Sequence, residues 1–261
     1  MRRPAVILAY HGIADVDPRH DPVRLFVGPD AFRRQVMRLQ SRGYRFLKMS
    51  EFAEALAAGR DVDATCALTF DDGTLDHLTN LAPILAELGV PGTIYVCPGL
   101  FGDPYPWCDT AAAVRLMTAE EVVELSAHSL VEIGSHTIDH TVLAEASAEE
   151  AYREMSTCKE RLEKLLGEPV PSFCYPRCLY SPACPDAARR AGYTSAVTCG
   201  ARGSWDPFAL KRQVLHTPDG PVTFALKSRG LYHGLRDTPP ARLARWATRR
   251  HRHRAERVAN G

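Results

Sequence analysis

The sequence predicts an α/β fold, with seven strands alternating with helices on a mostly parallel sheet, open or closed into a barrel. Apolar runs of strand length recur along the chain, and stretches with helical spacing and capping residues lie between most of them. A length of 261 residues suits a single α/β barrel. With 45% hydrophobic and 24% charged residues, the chain has material for a core and lacks the imbalance of a disordered protein. No run of about 18 consecutive apolar residues occurs, which argues against a membrane-spanning helix.

The first strand is expected at residues 5–10, directly after Met1-Arg2-Arg3-Pro4. Its apolar stretch is short for a signal-peptide core and no small-residue cleavage site follows, so a cytoplasmic protein is expected. Asp30 is the expected N-cap of a helix at 31–42, closed by Gly43, and Ser50 that of a helix at 51–58, closed by Gly59. A strand at 64–70, rich in Thr, Leu and Phe, leads to a helix at 75–88 that stops at Gly89. The next strand spans 92–97, and Thr118 opens a helix at 119–128 with the acidic first turn that helices favour. After a strand at 131–134 comes the longest helix, 147–166, stopped by Gly167 and Pro169. Strands at 172–175, 194–198 and 213–216 complete the set. Residues 1–238 are assigned to one domain and 239–261 to a basic, helical C-terminal tail.

Charge is concentrated in that tail. Residues 241–261 hold seven Arg against Glu256, giving +6 and leaving −5 for the remainder of a chain whose total is +1. A solvated basic face packed through Trp246 is the plain expectation, and weak contact with an anionic membrane surface or a phosphate-bearing partner the sharper one. No nucleic-acid partner is expected. Eight cysteines, at 66, 97, 108, 158, 174, 178, 184 and 199, are scattered through a chain without an export signal and are expected as free thiols. Cys174, Cys178 and Cys184 lie closer together, but not at the spacing of a structural zinc site.

Two short segments carry the chemistry. Thr69-Phe70-Asp71-Asp72-Gly73 ends the strand at 64–70, and Ser135-His136-Thr137-Ile138-Asp139-His140 follows the strand at 131–134. Adjacent carboxylates at a strand end point different ways, so Asp72 can bind a cation while Asp71 stays free to move a proton. Imidazoles four residues apart fall on one side of a helical turn, where His136 and His140 can share an ion. Asp72, His136 and His140 are therefore the expected ligands of one divalent ion, with zinc first and cobalt, nickel, iron and manganese as the other candidates. Such an ion makes hydroxide available near neutral pH, with Asp71 as the base that takes the proton. Gly73 allows the tight turn that brings backbone close to the ion. The competing reading makes Asp71-Asp72-Gly73 a helix-capping turn and the two histidines surface residues.

These two segments resemble the first two motifs of the polysaccharide deacetylases, carbohydrate esterase family four. The similarity extends over about residues 5–217 and includes the opening Ile7-Leu8-Ala9-Tyr10-His11-Gly12. It implies a distorted (β/α)7 barrel, a metal-dependent de-N-acetylase, Asp71 as base and Asp72, His136 and His140 as ligands. His11 then falls at the first strand end, where it lines the pocket or packs as a core imidazole. The third motif, usually Arg-x-Pro-aromatic-Gly, is altered to Cys174-Tyr175-Pro176-Arg177-Cys178. By position the backbone N–H of Arg177 would hold the tetrahedral oxyanion. With Cys174 in place of the usual Arg, Arg212 is the candidate to orient Asp71. Leu215-His216 resembles the last motif, whose histidine protonates the departing amine. Trp205-Asp206 lies near the fourth motif without a secure alignment.

The implied reaction removes an N-acetyl or other N-acyl group from an amino sugar or a small sugar-containing substrate. A small substrate fits a chain expected in the cytoplasm, and the basic tail fits one linked to phosphate or lipid. The alternatives are a hydrolase of cyclic amides (imides or ureides) on the same fold, an iron site for oxygen chemistry, and a metal-binding relative without activity.

Overall fold

The computed structural model describes residues 3–109, 114–200 and 205–232. The chain order is β1 (Val6–Tyr10), α1 (Pro29–Gln40), β2 (Arg45–Leu47), α2 (Met49–Ala57), β3 (Thr65–Phe70), α3 (Ala82–Leu88), β4 (Gly92–Val96) and α4 (Ala119–Ser126). It continues with β5 (Val131–Ser135), α5 (Ala148–Leu166), β6 (Ser172–Cys174), α6 (Cys184–Arg190), β7 (Ser195–Cys199), β8 (Leu210–Val214) and α7 (Pro221–Lys227). Every strand pairing is parallel. β1 pairs with β3 on one side and β8 on the other, which closes β1, β3, β4, β5, β6, β7 and β8 into a ring. The seven-stranded barrel is therefore closed rather than open. β2 sits outside the ring: Arg45–Leu47 pair with Thr65–Ala67 of β3, while β4 takes up that edge only at Thr69 and Phe70.

Alternation along the strands sets the two faces. Val6, Leu8 and Tyr10 pack outward with Phe32, Val36, Leu68 and Phe70 against the helices, whereas Ala5, Ile7, Ala67, Tyr95, Cys174, Val197 and Leu210 fill the barrel. Tyr10 stacks on Phe70 at 5.5 Å and meets Phe32 edge-on at 5.2 Å, fixing the ends of β1 and β3 just before His11 and Asp71. The opposite end is stoppered by α2, whose Met49 N–H donates to Thr93 Oγ1 at 3.0 Å and whose Ser50 N–H reaches the Glu132 carboxylate at 3.3 Å.

Six of the expected strands are found in place. The last is shifted: β8 is Leu210–Val214, not 213–216, so Arg212 sits inside the strand and His216 just beyond it. The first two helices begin a little earlier than expected, with Gly28 and Lys48 at the N-cap positions instead of Asp30 and Ser50. Thr118 and Ser147 do cap α4 and α5, each side chain accepting from the N–H three residues on. No helix among the described residues is long and apolar enough to cross a membrane. The expected tail at 239–261 lies outside the described residues.

Candidate metal and proton-transfer site

Both motifs, and the residues beyond them, converge at the C-terminal ends of the strands, where barrels place their chemistry. Asp71 follows β3 and its N–H donates to Tyr10 O at 3.0 Å, while Leu215 N–H donates to Ala9 O at 2.8 Å. Because β1 pairs with both neighbours, His11 at its end lies between Asp71 and His216.

The two carboxylates do diverge, and the cause is a backbone angle. Asp72 has a left-handed φ of 74° and Gly73 one of 76°, which swings the second carboxylate away from the first. A Cβ on Gly73 would lie 2.8 Å from Val96 Cγ1, so that position is closed to other residues on two counts. Asp71, buried, is gripped by Arg212: Nη1 donates to Oδ1 at 2.7 Å and Nη2 to Oδ2 at 2.8 Å. Arg212 is itself fully buried and also donates to Thr69 Oγ1 at 3.0 Å and the Thr198 carbonyl at 3.3 Å. Burial pushes the Asp71 carboxyl up, but the Arg212 charge and hydrogen bonds outweigh it and hold the group below the ordinary carboxylate value. Cys174, where the family pattern has arginine, lies 3.1 Å from Arg212 Nη2, so strand β8 supplies the charge that β6 lacks.

Asp72 turns to the histidines. Its Oδ1 lies 3.4 Å from His136 Nε2 and 3.6 Å from His140 Nε2, and it is a buried oxygen without a hydrogen-bond partner. His136 Nδ1 meets the Cys174 carbonyl at 2.8 Å, which fixes that nitrogen as a donor and turns Nε2 to Asp72. Burial lowers the imidazole, but Cys174 and Asp72 outweigh it and hold its pKa well above the ordinary value, so a bound ion would take the place of the proton on Nε2. Burial, then the neighbouring His136, lower His140 to about 4, keeping it a neutral donor. Donors bound at about 2.1 Å and 90–110° to one ion stand about 3.0–3.5 Å apart, so this set fits a divalent ion. The orphaned oxygen is the sign of it, since burying an unpaired carboxylate atom is otherwise costly. The route to this geometry differs from the expected helical turn. Residues 136–140 form no helix; Thr137 and His140 have φ of 63° and 57°, and this left-handed loop brings the rings together at 4.9 Å.

Two residues of the site lacked a sequence motif. Tyr105 Oη donates to Asp72 Oδ2 at 2.6 Å, and Trp107 packs on His140 with ring centroids 4.3 Å apart. Both come from the loop after β4, where Tyr105-Pro106-Trp107, two aromatics within a Pro- and Gly-rich loop, was the available signal.

The remaining expected residues occupy less direct positions. Arg177, exposed with φ 53°, follows Pro176 in a turn closed by Cys178 N–H to Tyr175 O and Leu179 N–H to Pro176 O, so its own N–H is not spent there. His216 is half-buried; its N–H donates to Asp219 Oδ2 at 2.9 Å and its ring Nδ1 has no partner among the described residues. Burial, then the Lys227 charge, lower its pKa. His11 Nδ1 is a buried atom without a partner among the described residues. Trp205 is far from all of these: it packs on Phe52 of α2 at 5.5 Å, under the barrel, so Trp205-Asp206 contributes nothing to the site. The expectation of free thiols throughout is corrected at one pair. Cys178 and Cys199 form a disulfide, with Cα atoms 5.3 Å apart, because the turn after β6 carries Cys178 beside the end of the neighbouring strand β7. Cys174 and Cys184 are separate buried thiols and form no zinc cluster with Cys178.

The fold and site thus define a closed parallel barrel that gathers possible donors for one ion and a second carboxylate at its strand ends. The family model for polysaccharide deacetylases matches residues 58–196, and the chain belongs to that family. It is 26% identical over 193 residues to a Bacillus subtilis (strain 168) protein named "Putative polysaccharide deacetylase YxkH", covering 74% of this chain and 63% of that one. To a chitin deacetylase of Pestalotiopsis sp. it is 33% identical over 115 residues, covering 44% of this chain and 34% of the other. The chain thus spans less than two thirds of the length of these curated relatives. Among solved structures, the Streptococcus pyogenes deacetylase PplD in complex with acetate has a TM-score of 0.73 at 25% identity, covering 87% of this chain and 98% of that one. IcaB from Ammonifex degensii shares the fold, with a TM-score of 0.74 at 23% identity over 87% of this chain and 97% of that one.

Proposed function

We propose that this protein hydrolyses the N-acetyl or other N-acyl group of an amino sugar or small sugar-containing substrate, with one bound divalent ion, zinc first among the candidates. The carrying observation is the buried, unpaired Asp72 Oδ1 facing two imidazole nitrogens beside an arginine-held Asp71. Held by Asp72, His136 and His140, the ion would supply Lewis-acid polarisation of the amide carbonyl and a water acidified towards neutrality. Asp71 takes a proton from the attacking water, and Arg212 keeps that carboxylate ionised and aimed. The Arg177 N–H donates to the oxyanion of the tetrahedral intermediate. An imidazole then protonates the leaving nitrogen, since amine expulsion needs an acid.

His216 is the imidazole that the family pattern assigns to that last step. A second reading makes His11 the acid: its Nδ1 is buried without a partner among the described residues at the end of β1, whereas burial and then the Lys227 charge lower His216. Replacing each by Asn decides the matter, because the true acid alone lowers kcat about 10²-fold or more and flattens the alkaline limb of the pH profile.

The relatives are named for deacetylation, and one solved neighbour holds acetate, which supports acetate as product. A cytoplasmic setting is part of the proposal, although the Cys178–Cys199 disulfide weighs towards an oxidising compartment; fractionation tests it. The decisive experiment measures acetate release from N-acetylated sugars, free, phosphate-linked, lipid-linked and as chitooligosaccharides, by zinc-loaded protein. Asp71→Asn should lose about 10²–10⁴-fold in turnover while binding one ion per chain. Turnover equal to wild type sinks the base assignment, and ring opening of an imide without acetate sinks the substrate class.

A further inference from the structure

Arg177 and Cys178 are consecutive non-glycine residues with left-handed φ of 53° and 60°. Each such residue carries a steric penalty and persists only where its surroundings hold it. Three contacts do so here. Cys178 N–H donates to the Tyr175 carbonyl, Thr198 Oγ1 donates to the Cys178 carbonyl at 2.9 Å, and the sulfur is bonded to Cys199. Cys199 ends β7, and its sulfur stands 3.8 Å from Arg212 Nη2, the nitrogen that grips Asp71 Oδ2. One covalent link therefore touches the turn that carries the Arg177 N–H and the guanidinium that aims Asp71.

The family pattern has glycine at the position of Cys178. Glycine takes left-handed φ without steric cost; cysteine does not. We propose that the Cys178–Cys199 disulfide is a positioning element of the site, replacing glycine's conformational freedom by a cross-link that holds the Arg177 N–H where the oxyanion forms. This rests on the deacetylase reading above. Opening the bond takes two electrons and two protons from a dithiol reductant, which is itself oxidised to a disulfide; the protein gains two thiols and no other bond changes. Turnover is then coupled to the redox state of its surroundings, reversibly.

The test compares kcat, KM and bound zinc for oxidised wild type, wild type in dithiothreitol, C178A/C199A and C178G/C199A, on an N-acetylated chitooligosaccharide. Reduction or C178A/C199A should lower kcat about tenfold or more, up to the roughly 10²–10³-fold that outright loss of an oxyanion donor costs. KM and zinc content should stay within about twofold. C178G/C199A should regain most of the turnover and ignore the reductant, because glycine restores the turn without the bond. A purely structural disulfide would instead lower zinc content and melting temperature, with no rescue by glycine. Wild-type kcat in C178A/C199A, or two free thiols at 178 and 199 in protein made under oxidising conditions, overturns the proposal. Wild type inactive on every N-acyl sugar in both redox states overturns the reaction and this proposal with it, whereas an active wild type matched by C178A/C199A overturns this proposal alone.

Discussion

Asp71 and Asp72 are adjacent yet do opposite work, because a left-handed φ at Asp72 turns one carboxylate to the imidazoles and leaves the other to Arg212. The Arg212–Asp71 pair is buried on both sides, so removing one partner strands a charge. Arg212→Ala should cost about 3–5 kcal/mol of stability in urea unfolding and most of the turnover. Adding Cys174→Arg should restore part of both, because that side chain already lies 3.1 Å from the Arg212 guanidinium; equal stability of Arg212→Ala and wild type would refute the pairing. Tyr105→Phe removes the donor on Asp72 Oδ2 without changing the fold, and should weaken zinc binding about 10–100-fold in competition with a chelating dye. At this scale the sequence displayed what lies close together in it. Asp71, Asp72, His136 and His140 were legible as two short motifs at strand ends. Tyr105 and Trp107 were not, since the loop that brings them over the ligands has no periodicity to betray its path. The Cys178–Cys199 pair was hidden for a related reason: 21 residues separate them, and the adjacency of β6 and β7 joins them.

The elements show where local pattern yields to tertiary context. β8 begins three residues before its apolar pattern indicates, because Lys211 and Arg212 interrupt that run, yet Arg212 belongs inside the barrel once Asp71 neutralises it. His136 and His140 were expected on a helical turn, and the shared face is reached instead through left-handed residues that no spacing rule reveals. At the barrel floor, Glu132 accepts from Ser50 N–H at the start of α2 and from Thr93 Oγ1 at 2.9 Å. Burial raises its pKa above the ordinary 4.5, against the opposing hydrogen bonds from Ser50 and Thr93. A raised carboxyl pKa means the folded state holds the proton more tightly than the unfolded chain. Its stabilising contribution is therefore complete below 4.5 and lost as pH climbs from there through the folded-state value. Glu132→Gln should remove that decline: the difference in unfolding free energy between the variant and wild type should grow in the variant's favour between acidic and neutral pH. A constant difference across that range would show that Glu132 ionises in the folded state as it does in the open chain.

On the scale of the whole molecule, β4 pairs with β3 on one side and β5 on the other, which places the ends of β3 and β5 on either side of it. Asp72 extends from the first and His136 and His140 from the second, so an ion bound there ties two neighbouring strand ends that the backbone ladder does not join directly. An ion that binds the folded chain and not the unfolded one stabilises it by RT ln(1 + [L]/Kd), about 2.7 kcal/mol at a hundred times Kd. For a domain of this size each kcal/mol moves the melting temperature by about 2–4 °C, so saturating zinc should raise it by about 5–11 °C. A strong chelator should reverse the shift. Asp72→Asn should abolish most of it by withdrawing the one anionic ligand, whereas Asp71→Asn should leave it nearly intact, because Asp71 spends both oxygens on Arg212. The contrast between the two neighbours is the informative part of the experiment. Equal loss of the zinc shift in both variants would mean that the carboxylates share the ion, and then neither could serve as a free base. No shift in the wild-type protein would mean that the Asp72, His136 and His140 atoms, close as they lie, do not hold a metal at all.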